Sequence, residues 1–140
     1  MQPLQVTAEP HDGLTIVRLR GELDIANADD LRQALSSARR EHGDIVILDL
    51  TGLEFMDSHG LSVIIGCYKA ATAAGGGVSL AAPRSIVRRT LEVTGLTGRL
   101  TVFDSLEEAV AVRLAERAAG DEPATAPANV QTASTAAEST

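Results

Sequence analysis

One short segment, residues 45–50 (IVILDL), constrains the fold of this chain more than any other. It is almost continuously apolar and is flanked by polar residues. A strand with this pattern is covered on both faces, as in parallel sheets that have helices packed on them. A loop over residues 51–57 and a helix over about 58–74 are predicted next, because apolar residues recur there at helical spacing. The segment therefore predicts an α/β fold with this strand near its centre.

The other segments extend the strand into a single mixed sheet. Alternating residues predict two earlier strands, and the link Pro10-His11-Asp12-Gly13 predicts a four-residue turn that makes them an antiparallel hairpin. A loop over 21–26 follows, and Asn27 is the predicted N-cap of the first helix. The order ββαβαβαβα predicts about five strands, parallel after the hairpin, and about four helices. The predicted strands are 4–9, 14–20, 45–50, 78–81 and 100–103, and the predicted helices begin near 28, 58, 83 and 106.

Composition predicts one domain and a tail. Residues 1–118 are predicted to form the domain, whereas 119–140 contain Val130 as their only large aliphatic residue and are predicted to be a disordered tail. The net charge of −7 disfavours binding to nucleic acid and to anionic membranes. A single cysteine excludes an internal disulfide, and no signal peptide or membrane span is recognisable. We therefore expect a cytoplasmic protein.

The candidate functional residues are Asp57, Ser58, His59 and Gly60, where the central strand leads into the next helix. Loops at the carboxyl ends of strands form the usual functional edge of open α/β sheets. Taken alone, the pattern favours Ser58 as a simple N-cap, which stabilises a helix by ~1 kcal/mol. Asp57 is then a partner of the helix dipole or a second cap candidate. His59 is then an exposed loop residue, and Gly60 permits close helix packing.

The residues do not indicate an enzyme. A nucleophile elbow requires Gly-x-Ser-x-Gly, but Met56 occupies the position of the first glycine. His59 is adjacent to the serine and is expected to point around the helix, and His11 and His42 lie in predicted turns at unknown distance. The three glycines at 75–77 follow a helix and precede no Lys-Ser or Lys-Thr pair, unlike a phosphate loop. The His, Asp and Glu residues show no metal-ligand spacing. We therefore expect no catalysis, no cofactor and no metal.

The segments 47–50 and 55–61 together resemble the signature of the STAS domain family, specifically the anti-sigma factor antagonists of the SpoIIAA type. Residues 21–24 (GELD) match a second family motif, and Tyr68-Lys69 also fits. The resemblance extends over about residues 3–115, which is nearly the whole predicted domain. The predicted order of strands and helices is also the order that this family uses.

The resemblance implies a partner switch. The unphosphorylated antagonist binds an anti-sigma factor, which releases a sigma factor. That anti-sigma factor is itself a serine kinase that phosphorylates the antagonist, and a phosphatase resets the switch. By the match, Ser58 is the phosphorylated residue, with Asp57 beside it and Asp24 nearby. The implied partner-binding residues are Asp24, Asp57, Ser58, His59 and Gly60.

One alternative function stays open at this point. STAS-like domains also serve as scaffold or sensor subunits of stress-signalling or transporter complexes. Arg84, Arg88 and Arg89 fit a solvated helix face better than a site for phosphate or an acidic partner. Cys67 is interpreted as a small packing residue and Tyr68 as a half-buried one.

Overall fold

The computed structural model describes residues 3–95 and 100–121, in which five strands and four helices follow the predicted order. The strands are β1 (Gln5–His11), β2 (Leu14–Leu23), β3 (Ile45–Met56), β4 (Gly77–Ala81) and β5 (Thr101–Phe103). The helices are α1 (Ala28–His42), α2 (Ser58–Ala73), α3 (Ser85–Val93) and α4 (Leu106–Asp121).

All five strands form one sheet in the spatial order β1-β2-β3-β4-β5. The pair β1 and β2 is antiparallel, and every later pair is parallel. A helix connects each parallel pair, as such crossovers require. The predicted fold class, a single mixed sheet with an N-terminal hairpin and four helices, is confirmed.

Apolar clusters cover both faces of the sheet. The larger cluster joins strand residues such as Leu48 to the buried sides of α1, α2 and α3, and it includes Ile64. The smaller cluster joins Ile47 to Ala109 of α4. Neighbouring residues of a strand point to opposite faces, so β3 must be apolar on both of them. This requirement explains the continuous apolar segment in the sequence.

The hairpin differs from its prediction. β1 continues through Pro10 and His11, so the turn contains only Asp12 and Gly13. Both turn residues have positive φ, 51° and 87°, as in the tight turns whose twist matches that of paired strands. Pro10 is tolerated because β1 is the edge strand and pairs only with β2. The predicted four-residue turn is therefore wrong.

Two predicted loops are partly strand. β2 continues to Leu23, through half of the segment 21–26, and β3 continues to Met56, through nearly all of the segment 51–57. Their pairing shifts register twice, between Arg18 and Arg20 and again between Gly21 and Glu22. β-Bulges of this kind occur beside functional sites, where they redirect a strand. They also break the alternation by which a strand is recognised in a sequence.

Other boundaries shift by a few residues. α3 begins at Ser85 and not at Pro83, because Arg84 still has extended backbone angles. β5 begins at Thr101, one residue later than predicted, and α4 extends to Asp121, past the predicted domain boundary at 118. Residues 122–140 of the predicted tail lie outside the described residues.

Candidate functional site

The two motif segments meet at the carboxyl edge of the sheet. Leu23, the last residue of β2, pairs with Met56, the last residue of β3. The carbonyl oxygen of Leu23 accepts a hydrogen bond from the backbone N–H of Asp57 at 3.1 Å. Asp24 and Asp57 therefore leave the sheet from neighbouring strands, although they are far apart in the sequence.

Asp57 is the N-cap of α2. Its backbone is extended, and its carboxylate accepts hydrogen bonds from the N–H groups of His59 at 2.9 Å and Gly60 at 3.1 Å. These two donors have no partner within the helix, so the carboxylate satisfies them. Ser58 is the first residue of the helix and not its cap. The interpretation of Ser58 as the cap is wrong, and Asp57, the second candidate, takes that role.

The carboxyl group of Asp57 is held in its charged form. Its partial burial opposes ionisation, but the N–H groups of Gly60 and His59 and the His59 side chain outweigh that effect and lower the pKa of Asp57. The ring nitrogen Nδ1 of His59 lies 3.4 Å from Oδ2 of Asp57. A fixed negative charge therefore stands directly beside Ser58.

The Ser58 side chain is exposed at the first position of α2. Its backbone carbonyl accepts a hydrogen bond from the Ser62 hydroxyl at 3.0 Å. Its own hydroxyl makes no hydrogen bond to any residue in the ranges 3–95 and 100–121. That oxygen is accessible from solvent and is not occupied by a structural contact.

Gly60 lies beneath this surface. A Cβ atom added to Gly60 would lie 2.6 Å from Cδ2 of Leu23 and 3.2 Å from Cγ of Met56. Both distances are shorter than ordinary packing allows, and Leu23 is completely buried. The absence of a side chain at Gly60 therefore lets α2 begin close against the ends of β2 and β3, as the packing interpretation predicted.

A closed set of hydrogen bonds shapes the loop that carries Asp24. Its carboxylate accepts from the N–H of Ala26 at 2.9 Å, and its own N–H donates to Oδ1 of Asn27 at 3.0 Å. The side-chain N–H of Asn27 donates to the carbonyl of Glu22 at 2.9 Å. Asn27 occupies the cap position of α1 but makes no side-chain cap hydrogen bond. The predicted cap chemistry is wrong, because Asn27 instead holds the Asp24 loop.

Two large apolar side chains are exposed in these same segments, and the sequence analysis missed both. Ile25 follows Asp24 and is 67% exposed, and Phe55 precedes Met56 and is 39% exposed. The sequence feature that could have indicated this exposure is Ile25 itself. It lies in a predicted loop and belongs to no strand or helix face that would bury it. Exposed apolar residues beside a polar site are typical of the centre of a protein interface.

The remaining candidate residues have structural roles. Burial raises the pKa of the Cys67 thiol, and Tyr68 is half-buried, in agreement with the packing interpretations. Within the described part of the chain, no group of three or more His, Cys, Asp or Glu side chains could hold a metal ion. None of the helices in residues 3–95 and 100–121 is both long and apolar enough to cross a membrane.

These features define a class: a single α/β domain in which an exposed serine starts the helix that follows the central strand of a mixed sheet. The chain belongs to the STAS domain family, whose model matches residues 5–109. The resemblance inferred from the sequence is therefore confirmed.

Individual relatives agree with this assignment. The chain is 38% identical over 103 residues to the anti-sigma F factor antagonist of Paenibacillus polymyxa. The aligned region covers 73% of this chain and 88% of that relative. The crystal structure of an anti-sigma factor antagonist from Mycobacterium paratuberculosis matches with a TM-score of 0.73 at 26% identity, covering 79% of this chain and 93% of that one. The structure of unphosphorylated SpoIIAA, another anti-sigma factor antagonist, matches with a TM-score of 0.66 at 25% identity. The match covers 86% of this chain and 100% of the SpoIIAA chain.

Proposed function

We propose that this protein is an anti-sigma factor antagonist that switches partners when Ser58 is phosphorylated. The observation that carries the proposal is the exposed Ser58 hydroxyl, which is free of hydrogen bonds to the described residues and stands beside the ionised Asp57. The relatives that the chain resembles are named anti-sigma factor antagonists, which supports the first part of the proposal. The role is one of binding and not of catalysis.

The proposed docking surface is the edge formed by the Asp24 loop and the start of α2. Asp24, Asp57, Ser58 and His59 supply its polar rim, and Gly60 supports it from below. The exposed Ile25 and Phe55 supply apolar contact area. Interfaces combine an apolar centre with a polar rim in this way. The partner in this proposal is an anti-sigma factor that uses ATP to phosphorylate Ser58, in the cytoplasm.

Phosphorylation would add a charge of about −1.5 to −2 at Ser58. The start of α2 offers that charge few donors, because the N–H groups of His59 and Gly60 already bind the Asp57 carboxylate. The N–H of Leu61 is also occupied, since it donates to the carbonyl of Asp57 at 3.1 Å. The phosphate would therefore stay on the surface as an uncompensated charge next to a carboxylate.

The size of this electrostatic change is sufficient for a switch. Two unit charges ~4 Å apart interact by about 4 kcal/mol at an effective dielectric constant near 20. Because 1.4 kcal/mol corresponds to about tenfold in affinity, a repulsion of this size between the phosphate and a negative group of the docked partner would lower affinity by two to three orders of magnitude. A complex can therefore be dissociated without refolding of the domain, and a phosphatase that removes the phosphate would restore it.

The phosphorylation step is tested by incubating the protein with its cognate anti-sigma factor and ATP, followed by mass spectrometry. We expect one phosphate on Ser58, none in Ser58→Ala, and full incorporation in Ser62→Ala. Ser62 is a matched control because it is an exposed serine one turn further along the same helix. Incorporation into Ser58→Ala, or none into the wild-type protein, would refute the assignment.

The binding step is tested with charge variants. Ser58→Asp is expected to weaken binding to the anti-sigma factor by at least tenfold, on the order of one charge repulsion, whereas Ser58→Ala retains binding. Ser85→Asp is the control, since Ser85 is the exposed first residue of α3, the same helical position on another element. Co-purification with a transporter in place of a kinase would instead support the scaffold alternative, and the proposed switch would then be wrong.

A further inference from the structure

A second concave surface lies at the opposite end of the sheet from Ser58. It is a cavity of about 470 Å³ bounded by α4 and by the first residues of β3, β4 and β5, which are Ile45, Gly77 and Thr101. None of the residues proposed to bind the anti-sigma factor lines this cavity. Because Ser58 follows the other end of β3, the cavity is separate from the proposed switch.

Three successive glycines, Gly75, Gly76 and Gly77, form one edge of the cavity, and the backbone requires the first two. Gly75 has a φ of 91°, which strains any residue with a side chain. A Cβ atom at Gly76 would collide with the carbonyl oxygen of Asp44. The tight connection from α2 to β4 therefore explains two of the three glycines.

Gly77 has no such requirement. It is absent from the residues with positive φ, and a Cβ atom there would meet nothing within 4 Å. It belongs to β4, and glycine in a strand is less stable than a residue with a side chain. Strand residues alternate between faces, so position 77 faces the same side as Ser79, to which Arg113 of α4 donates a hydrogen bond at 2.6 Å. The missing side chain therefore leaves the space between β4 and α4 open.

The wall of the cavity formed by α4 carries both signs of charge. Arg113 and Glu116 form an ion pair, which uses one oxygen of the Glu116 carboxylate. Arg117 forms no ion pair with a carboxylate of residues 3–95 or 100–121, and its guanidinium group lies against Gly13. One carboxylate oxygen and one guanidinium group are therefore open to a ligand on the same wall.

Two carboxylates close to this wall are engaged elsewhere and do not line the cavity. Asp12, the neighbour of Gly13, lies 3.7 Å from the ring of His11. Asp44 pairs with Arg39 at 2.8 Å. The lining itself combines two arginines with one glutamate, so a ligand of a single sign would meet a like charge as well as an opposite one.

We propose that this cavity binds a small zwitterion of the amino-acid class. Its carboxylate would bind Arg117, because a guanidinium group matches a carboxylate in geometry and charge. Its ammonium group would bind the second oxygen of Glu116. The half-buried Ile45 and Tyr68 line the cavity as well and would contact an apolar side chain of the ligand. The volume falls within the range of small-ligand pockets.

The test is a nuclear magnetic resonance titration of the full 140-residue chain with L-leucine at pH 7. L-leucine carries all three features, so we expect saturable shifts of the amide signals of Gly75, Gly76 and Gly77. Two analogues each lack one charge: 4-methylpentanoate has no ammonium group, and 3-methylbutylamine has no carboxylate. Each is expected to bind at least tenfold more weakly, on the order of one lost charged hydrogen bond. Shifts that never saturate with L-leucine, or equal affinity for either analogue, would overturn the proposal.

Two variants locate the binding in this cavity. Arg117→Gln is expected to weaken L-leucine binding at least tenfold, on the order of one charged hydrogen bond, and Arg117 is exposed, so the fold is retained. Gly77→Val is expected to abolish binding by filling the open space. Its midpoint of urea denaturation should not fall, because the new side chain begins where nothing lies within 4 Å.

Gly66→Val is the matched control. Gly66 of α2 also has nothing within 4 Å of an added Cβ atom, but it does not line the cavity. Its affinity for L-leucine is expected to equal that of the wild-type protein. Retained binding in Gly77→Val, or an equal loss in Gly66→Val, would overturn the proposal. Because Ser58 is intact in all three variants, its phosphorylation is measured separately and does not decide this result.

Discussion

At the scale of single residues, Asp57 combines two properties, a hydrogen-bond acceptor and a charge, that substitutions can separate. Asp57→Ala removes the acceptor of the N–H groups of His59 and Gly60, so we expect the free energy of unfolding to fall by ~1 kcal/mol. Asp57→Asn keeps an acceptor oxygen and is expected to lose less. Urea denaturation of both variants at pH 7 measures the difference. Equal losses in both would mean that charge alone, and not capping, stabilises α2.

The charge of Asp57 also predicts a pH dependence. The pKa of Asp57 is lower in the folded protein than its ordinary value of 3.8. The ionised carboxylate therefore stabilises the folded state above pH 3.8, and this contribution is lost as the pH falls through the folded pKa. Asp57→Asn lacks it at every pH. We expect the stability difference between wild type and Asp57→Asn, measured by urea denaturation, to shrink from pH 6 to pH 3; a constant difference would contradict the assigned shift.

Residue chemistry alone could not distinguish Asp57 from Ser58 as the cap. Both residues are strong N-cap formers, and the choice depends on which backbone still has extended angles where β3 ends. The same limit applies to Asn27, which has the chemistry of a cap but forms hydrogen bonds within the Asp24 loop. The sequence could predict which residues are near the site, whereas their hydrogen-bond partners depended on the path of the backbone.

At the scale of elements, the contact between α2 and the end of β2 can be tested with two glycines of one helix. Gly60→Ala places a methyl group against the buried Leu23, so we expect a loss of about 1–3 kcal/mol from overpacking. Gly66→Ala is the control, because nothing lies within 4 Å of a Cβ there. It is expected to stabilise the protein by about 0.5–1 kcal/mol through helix propensity. Thermal and urea denaturation measure both, and destabilisation by Gly66→Ala or tolerance of Gly60→Ala would contradict this account of the packing.

The length of β3 shows how far periodicity predicts an element. Residues 45–50 are recognisable because both faces are buried. Beyond Leu50 the strand contains Gly52 and Glu54, and two register shifts relative to β2 remove the alternation. The pairing that keeps this segment extended comes from a neighbouring strand and not from local preference. The boundaries of β2 and β3 were therefore wrong, although their existence and direction were predicted correctly.

At the scale of the whole molecule, the core and the candidate surfaces are built from different residues. The buried clusters consist almost entirely of aliphatic side chains and alanine, and periodicity predicted most of their elements. The surfaces instead depend on residues brought together by the sheet. Asp24 and Asp57 follow strand ends that lie side by side because β2 and β3 are neighbours, and Arg84 meets Thr51 where α3 begins. A family resemblance could indicate the first pair, whereas only the folded structure shows the second.

This separation predicts that partner binding can be lost without loss of stability. Ile25→Ser removes a side chain that is 67% exposed, so we expect the free energy of unfolding to change by less than about 0.5 kcal/mol. If Ile25 contributes to the proposed docking surface, affinity for the anti-sigma factor should fall about tenfold or more, as for an interface residue worth over 1 kcal/mol. Val93→Ser is the control, since Val93 is 77% exposed at the end of α3. Isothermal titration calorimetry measures the affinity, and urea denaturation measures the free energy of unfolding. Unchanged affinity in Ile25→Ser, or an equal loss of affinity in Val93→Ser, would mean that the partner binds elsewhere on the domain.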